Sequence, residues 1–321
     1  MYLKAIERRL ISHIPHWLGQ VLRRARRGRA DAGSARYCYA VWLRHLTLAA
    51  RDAGLDRVPD AVAELGPGAS LGVGLAALLS GASRYHALDV ARDAPDEPEQ
   101  TRRLLDELLA LFERREPIPG PTEFPRLEPA LESYAFPHEL LTDDHLGRSL
   151  AASRVEAIRA ACAALGAETA GIRVAYHAPW HDPGVIEPGS VDFIVSQAVL
   201  ECVDDLATAY HATRQWLRTG GIASHQIDLR SHGTSDRWWN GHWEYPPRLW
   251  AFLRGARPSL INREPVSTHV QRLTDAGFRI LTDRRTRRDD GIPRDRLAPP
   301  FRRLSDDDLA TSAIFIQATT A

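Results

Sequence analysis

Short apolar runs alternate with segments of helical periodicity along most of this chain. Seven such runs predict strands at about 61–65, 84–90, 172–177, 191–196, 222–228, 278–281 and 312–318. The periodic segments between them predict helices at 37–53, 70–81, 149–165, 203–217 and 268–276. Strands that alternate with helices favour an α/β fold, in which parallel strands are joined by right-handed crossovers.

Two stretches interrupt this alternation. Between 91 and 150 a helical segment, Leu104–Phe112, precedes a proline-rich stretch with Pro117, Pro119, Pro121, Pro125, Pro129 and Pro137. Proline removes the backbone donor that helices and sheets need, so this insertion is interpreted as a lid beside a ligand or as an elaborated surface loop. The Arg/Asp-rich stretch from Asp283 to Asp308 is predicted to be a solvated loop, with a grip on an anionic substrate as the alternative.

Residues 1–29 have apolar positions at helical spacing, followed by five arginines. A basic amphipathic helix of this kind can lie on an anionic membrane surface, or it can pack its apolar face on the protein. We favour packing because His13, Pro15 and His16 interrupt the pattern. The predicted division is a helical cap over 1–54 and one domain over 55–321, with the insertion at about 91–150.

Composition excludes several classes of protein. The 321 residues are 44% hydrophobic and 26% charged, with a formal net charge of +0, so the composition indicates a globular protein without a nucleic-acid partner. The three cysteines are widely spaced and form no C-x-x-C pair, which argues against a disulfide framework or a zinc motif. No long apolar run or signal-peptide pattern occurs, so we expect a cytoplasmic protein. The oligomeric state is left open.

A glycine-rich turn follows the first predicted strand. Gly66 and Gly68 allow the backbone to approach a nucleoside cofactor, and Asp89 ends the second strand where an acid can accept ribose hydroxyls. Glu64 would repel a pyrophosphate but favour the amine and sulfonium of S-adenosylmethionine (SAM). The next glycine is Gly72 and not residue 71, so the dinucleotide pattern G-x-G-x-x-G fails. Asp89 by itself fits NAD as well as SAM.

Three segments together resemble the motifs of class I SAM-dependent methyltransferases. They are E-L-G-P-G-A-S-L-G at 64–72, the strand-ending Asp89, and D-F-I-V-S-Q-A-V-L-E at 192–201. Segments 224–233 and 262–269 resemble a bacterial group often associated with glycan or secondary-metabolite biosynthesis. The resemblance covers about 55–320 and implies a Rossmann-like, mostly parallel sheet of seven strands, with the last strand antiparallel. It also implies SAM as cofactor and methyl transfer as the reaction.

The cofactor positions follow from the motifs and from the edge of the sheet at which they end. They are Glu64, Gly66, Pro67, Gly68, Asp89, Val90, Pro179, Trp180, Ser196 and Gln197. Trp180 lies where the family's adenine-binding loop falls, and it either stacks on the adenine or fills the core. Gln197 is expected to line the methyl-transfer site. Many relatives begin the next helix with Glu-His, whereas this chain has Glu201-Cys202, which weakens any claim for a catalytic histidine there.

Candidate catalytic residues cluster around the end of the fifth strand. His232 and Asp228 are better placed than His225 to face a ligand, because strand alternation puts 225 and 228 on opposite faces. A histidine near neutral pH can accept a hydroxyl proton; the alternative is that these residues only hold loops. His225, Asp228, His232 and His242 match no specific metal-ligand spacing, so no metal is predicted.

Candidate acceptor-binding residues come later in the chain. They are Trp243, Asn262, Arg263 and His269. Arg263 could bind a phosphate or carboxylate through its planar fork, or pair with Glu264 or another acid. Trp243 belongs to a tryptophan-rich stretch that could hold a sugar or planar ring, or simply pack in the core.

The sequence therefore favours SAM-dependent methyl transfer to a small polar acceptor, with a hydroxyl on a saccharide or secondary-metabolite intermediate preferred. The alternatives are an NAD-dependent oxidoreductase and a binding module that keeps the fold without catalysis.

Overall fold

The computed structural model describes residues 33–68, 70–90, 98–180, 182–255 and 260–320. These residues form one eight-stranded sheet in the order β3-β4-β2-β1-β5-β6-β8-β7. The strands are β1 (Ala61–Leu65), β2 (Arg84–Leu88), β3 (Glu168–Thr169), β4 (Ile172–His177), β5 (Val191–Gln197), β6 (Leu217–Asp228), β7 (Phe278–Arg287) and β8 (Thr311–Thr320). The basic segment 1–29, with its alternative of membrane contact, lies outside the described residues.

The strand directions confirm the predicted fold class. Strands β4, β2, β1, β5 and β6 are parallel, and the last strand, β8, runs antiparallel to both β6 and β7. All seven predicted strands are present, and the short antiparallel β3 is an addition. The chain leaves β1 towards β2 and later crosses to β5 on the other side of β1. The carboxyl ends of β1 and β5 therefore frame the crevice at which α/β proteins bind ligands.

Nine helices of the described ranges flank this sheet. They are α1 (Ala35–Asp52), α2 (Gly72–Leu79), α3 (Pro98–Glu113), α4 (Asp143–Ser149), α5 (Ala152–Ala163), α6 (Leu206–Trp216), α7 (Pro247–Arg254), α8 (Val266–Asp275) and α9 (Asp306–Ala310). Helices α1, α2, α3 and α5 cover one face, here called the α1 face, and α6 and α8 cover the other, the α6 face. None of the helices in these ranges is long and apolar enough to cross a membrane.

Helix α1 packs directly on the sheet. Ser34 caps it by accepting a hydrogen bond from the backbone N–H of Tyr37, and most of its side chains are buried. Trp42 is fully buried, donates its indole N–H to Ser80 Oγ, and meets the Phe193 ring edge-on at 5.9 Å. The helix therefore belongs to the main core and carries residues towards the crevice.

The proline-rich part of the insertion, residues 114–142, contains turns and bends and no helix or strand. It nevertheless packs closely, because Phe124 and Leu131 are buried against the same core as α1. Pro129 accepts a hydrogen bond from Arg44 Nε of α1 at 2.9 Å. This ordered layer covers α1 next to the crevice.

Some predicted boundaries are wrong. Strand β7 continues to Arg287, so the loop predicted from Asp283 begins too early; its charged side chains lie on an edge strand, where they are tolerated without apolar alternation. Strand β6 begins at Leu217, well before the strand predicted at 222–228. The helix predicted at 149–165 is α5, which is shorter at both ends, and a separate short helix, α4, ends at Ser149.

Candidate active site

The glycine turn after β1 is held tightly between its neighbours. Gly66 donates its N–H to Leu88 O at 2.8 Å, and both Gly66 and Gly68 have left-handed backbones with φ of 67° and 63°. A Cβ on Gly66 would lie 2.6 Å from Val199 Cγ2. Only glycine fits there, since any other side chain would displace the turn from the segment that follows β5.

Asp89 joins the ends of three strands. Its Oδ2 accepts the Gly68 N–H at 3.3 Å, and its Oδ1 accepts the Val90 N–H at 2.7 Å. Its backbone N–H donates to His177 O, and its carbonyl accepts the N–H of Trp180 at 3.2 Å. The structure therefore brings together the predicted cofactor positions Gly68, Asp89, Val90 and Trp180, and Pro67 and Pro179 lie in the same loops.

Glu64 lies buried beneath the turn on the α1 face. Its Oε2 accepts the phenolic hydrogen of Tyr85, whose ring occupies space that Gly74 leaves open, since a Cβ on Gly74 would lie 2.1 Å from Tyr85 Cζ. Burial, with a smaller contribution from the negative charge of Asp89, raises the pKa of Glu64 to about 7, although the hydrogen bond from Tyr85 acts in the opposite direction. The crevice at this end is therefore acidic.

Trp180 is half-buried at the outer end of the same loop. It meets Trp216 edge-on, with ring centroids 5.3 Å apart, and packs against the apolar cluster of the α6 face. The ring therefore takes part in core packing while part of it remains exposed. Stacking on an adenine stays a prediction.

Gln197 ends β5 beside the turn and is held by a polar network. Its Nε2 donates to Gln226 Oε1 at 2.9 Å, and its Oε1 lies 3.3 Å from His45 Nε2 of α1. The other ring nitrogen of His45 lies 2.7 Å from Ser224 Oγ, and burial lowers the pKa of His45 to about 4. A neutral histidine on α1 thus positions the amide of Gln197 at the crevice.

Ser196 and His225 face the interior on the opposite side of the sheet. Their Oγ and Nδ1 atoms are 2.8 Å apart, and both side chains are fully buried. Burial lowers the pKa of His225 to about 3, so its ring is neutral. His225 is therefore separated from Asp228, as strand alternation predicts, and the side chain of Ser196 points into the core and not into the crevice.

Asp228 and His232 meet just beyond the end of β6. Both oxygens of Asp228 accept hydrogen bonds from Arg230, at 2.7 Å each, and His232 Nε2 lies 3.4 Å from Asp228 Oδ2. Burial acts to raise the pKa of Asp228, but the hydrogen bonds from His232 and Arg230 outweigh it and hold the pKa well below its usual range. The same bond to Asp228 raises the pKa of His232 against the effect of burial.

Glu201 is a site residue for which the sequence offered no individual role. It lies in a short 3₁₀ turn, Leu200–Cys202, directly after β5, and only 1% of it is exposed. Its Oε1 lies 3.8 Å from His232 Nε2, and neither carboxyl oxygen has a hydrogen-bond partner among the described residues. Burial raises the pKa of Glu201 to about 8. The available signal was its position just after a strand that ends at the crevice.

Asn262 supports the turn that carries Glu201. Its backbone N–H donates to Glu201 O at 2.6 Å, and its Nδ2 donates to Leu200 O and Val203 O at 2.9 and 2.7 Å. The amide predicted to bind an acceptor is therefore engaged in holding backbone.

The other three predicted acceptor residues lie in packed interior. The Arg263 guanidinium lies between the rings of Trp250 and Phe301, 4.7 Å from each centroid, and donates to carbonyl oxygens instead of pairing with Glu264. Trp243 is fully buried and donates to Arg263 O. His269 is also fully buried, with Nδ1 3.0 Å from the Tyr210 hydroxyl. Trp243 and His269 are fully buried and Arg263 is only 9% exposed, so these side chains do not form the acceptor-binding surface that the sequence predicted.

Tyr37 of α1 is partly buried within reach of the charges of Glu64 and Glu201. Burial raises the pKa of its phenol to about 12, and the carboxyl groups of Glu64 and Glu201 both act on it in the same direction. The ring meets Phe124 of the insertion edge-on at 5.5 Å. Burial raises the pKa of Glu128 of the insertion, and the nearby positive charge of Arg230 opposes this rise. The insertion therefore borders the site.

Comparisons with known proteins give matches to solved structures alone. No family model and no curated protein matches the chain. An S-adenosylmethionine dependent methyltransferase from Mesorhizobium loti is 15% identical, with 84% of this chain and 95% of that chain covered and a TM-score of 0.41. Phosphoethanolamine N-methyltransferase 2 from Haemonchus contortus is 12% identical, with 89% and 57% covered and a TM-score of 0.40. The fold described above follows from this chain's own strand order and directions.

Proposed function

We propose that this protein is a SAM-dependent methyltransferase that acts on a small polar acceptor, with a hydroxyl group as the favoured nucleophile. The observation that carries the proposal is the acidic glycine turn after β1. It lies at the switch point of the sheet, where the strand order reverses between β1 and β5. Glu64 and Asp89 both approach this turn, and each acts to disfavour the negative charge of the other. Such a crevice stabilises a ligand that brings positive charge and opposes a pyrophosphate.

The residues present fit a sulfonium nucleoside. Gly68 leaves open space where a Cβ would stand, with Gly66 O at 4.0 Å as the nearest atom, so a ligand can approach the backbone closely. A carboxylate accepts up to about four hydrogen bonds, so Asp89 can receive ribose hydroxyls in addition to two backbone donors. Trp180 and Pro179 border the place for the base, and Val90 is more than half exposed beside them. When bound, SAM supplies an electrophilic methyl group.

Asp228 and His232 are the residues that we assign to the acceptor's proton. Asp228 lies on the same imidazole nitrogen that contacts Glu201, so it orients the ring and stabilises its protonated form. A base in this position contributes about a hundred- to ten-thousandfold in rate. Alignment of the nucleophile is worth more, up to roughly 7–11 kcal/mol, and Gln197 and Tyr37 are placed to contribute to it.

The alternative of an NAD-dependent oxidoreductase uses the same switch point and the same Asp89. It requires a pyrophosphate beside Glu64, where two acids already repel each other, so we regard it as the second choice. A module that binds SAM without catalysis would keep the turn but would not need the contact between His232 and Asp228.

Transfer of a tritiated methyl group from SAM into a small-molecule extract of the source organism tests the proposal. We expect the wild-type protein to label a polar fraction, and His232→Gln to bind SAM with unchanged affinity but to lose most of the labelling. Binding of SAM without any transfer by the wild type would indicate the binding module, and failure to bind SAM at all would remove the proposal.

A further inference from the structure

Glu201, Cys202 and His232 form a compact group of ligating atoms at the acceptor end of the crevice. One ligand atom from each residue lies within 4.8 Å of the other two. The group is separate from the glycine turn, since Glu201 and Cys202 follow β5 and His232 follows β6. Sequence spacing did not reveal it, because a helix and a strand separate Cys202 from His232 along the chain.

The carboxyl group of Glu201 is the observation that points to a ligand. It is 1% exposed, and neither of its oxygens has a hydrogen-bond partner among the described residues. A buried carboxyl group without a partner is costly unless a proton or a cation compensates it. The same group faces His232 Nε2, which Asp228 Oδ2 approaches at 3.4 Å from another side. Two carboxyl groups thus approach one imidazole nitrogen, and their combined negative charge suits a cation.

The donor types and distances select among cations. A thiolate, an imidazole and a carboxylate together favour borderline-soft zinc over magnesium or calcium, which prefer oxygen ligands. Two nitrogen or oxygen ligands of one tetrahedral zinc lie about 3.3–3.6 Å apart, given bonds of about 2.0–2.2 Å. The 3.8 Å between His232 Nε2 and Glu201 Oε1 exceeds that spacing by about 0.2 Å, which a small side-chain rotation on binding would close. The three hydrogen bonds from Asn262 hold the turn that carries both other ligands.

We propose that Glu201, Cys202 and His232 bind one Zn²⁺ ion and leave its fourth position open. Three protein ligands with an open position are typical of catalytic and not of structural zinc. The role at that position rests on the proposed methyl transfer: the acceptor oxygen would occupy it, and the metal would lower the pKa of the hydroxyl group. With zinc bound, His232 would act as a ligand and not as the base, and the proton of the acceptor hydroxyl would pass to bulk water.

Metal binding by the full-length protein tests the site independently of activity. After dialysis against a chelator, equilibrium dialysis with zinc chloride is expected to give about one bound zinc per chain. Glu201→Gln keeps the shape of the side chain and should weaken zinc binding at least about 100-fold. Cys202→Ser should do the same, whereas Cys162→Ser, at a half-buried cysteine on α5, should bind zinc as the wild type does.

Cobalt substitution identifies the ligands directly. The wild type and Cys162→Ser should show a thiolate-to-cobalt charge-transfer band that Cys202→Ser lacks. Absence of stoichiometric zinc in the wild type, or equal zinc affinity in the wild type and Glu201→Gln, would overturn the proposal. Calorimetric titration of the zinc-free protein with SAM separates the two proposals, because SAM binding without any zinc site would leave the methyltransferase proposal standing.

Discussion

Gly68 donates its backbone N–H to Asp89 Oδ2 across 3.3 Å, which ties the turn after β1 to the residue that follows β2. The same Asp89 is bonded through its backbone to the end of β4 and to Trp180. Three loops that are distant in sequence therefore meet because their strands are parallel neighbours with Leu65 beside Leu88 and Leu88 beside His177. The cofactor half of the crevice is thus a consequence of strand register.

Gly66→Ala is expected to lower SAM affinity at least tenfold. The new Cβ would enter the space of Val199, and a left-handed backbone costs an alanine about 1–2 kcal/mol. Gly189→Ala is the matched control, because Gly189 has the same φ of 67° but nothing within 4 Å of an added Cβ. Calorimetry should show the loss of SAM affinity in Gly66→Ala and not in Gly189→Ala. Equal SAM affinity of folded Gly66→Ala and the wild type would contradict the close fit at this turn.

Asp89→Asn is expected to weaken SAM about 10- to 100-fold, since hydrogen bonds to a charged acceptor are worth about 1.5–3 kcal/mol and the negative charge is lost as well. Asp60 pairs with Arg84 and directly precedes β1, at the end of the strand opposite the glycine turn. The SAM affinity of Asp60→Asn should therefore match that of the wild type. The dissociation constants of both variants check this. A larger loss of SAM affinity in Asp60→Asn than in Asp89→Asn would indicate that the cofactor binds at the opposite edge of the sheet.

SAM affinity should rise with pH between about 6 and 8. The pKa of Glu64 is about 7 in the SAM-free protein, so the carboxyl group is mostly protonated below that pH and ionised above it. A cationic ligand favours the ionised form, and binding at pH 6 must therefore release a proton. Titration in two buffers with different ionisation enthalpies measures that release. Glu64→Gln should abolish it, and proton uptake on binding would contradict this assignment.

His232→Gln should lower the turnover number about 10²–10⁴-fold while the dissociation constant for SAM stays the same. His232 lies at the acceptor end, next to Asp228 and Glu201, and away from the glycine turn. His211→Gln, at an exposed position of α6, serves as the control. Transfer of tritium from SAM into the labelled fraction measures the turnover of each variant, and calorimetry measures its dissociation constant for SAM. Full turnover in the first variant would remove His232 from the chemistry.

Arg263→Lys should destabilise the protein by about 2 kcal/mol without changing SAM affinity. Lysine keeps the charge but cannot lie flat between Trp250 and Phe301 while donating to two carbonyls. Urea unfolding of the wild type and the variant gives the free energy of unfolding. A stable variant with weakened acceptor binding would restore the earlier interpretation of Arg263 as an acceptor-binding residue.

The pattern of apolar runs was sufficient to predict the sheet. All seven predicted strands are present, because each contributes apolar residues that pack into the core. The end of β7 was missed for the opposite reason: Asp283–Arg287 belong to an edge strand and show no apolar alternation. The two-residue β3 is too short to leave any pattern.

The candidate site was predictable only in its cofactor half. Gly66, Gly68 and Asp89 lie at strand ends, so local sequence already places them at one edge. Trp243 and His269 were assigned by chemistry alone, and tertiary packing encloses them. Glu201 and Tyr37 come together through the packing of α1 against the sheet, which no local pattern of residues encodes.

Calorimetric titration of the full-length protein with SAM, S-adenosylhomocysteine and NAD tests the central claim most directly. The acidic turn predicts that SAM and S-adenosylhomocysteine each bind once per chain, and that NAD gives no binding heat. Binding of NAD, with no heat from either sulfur nucleoside, would contradict the account.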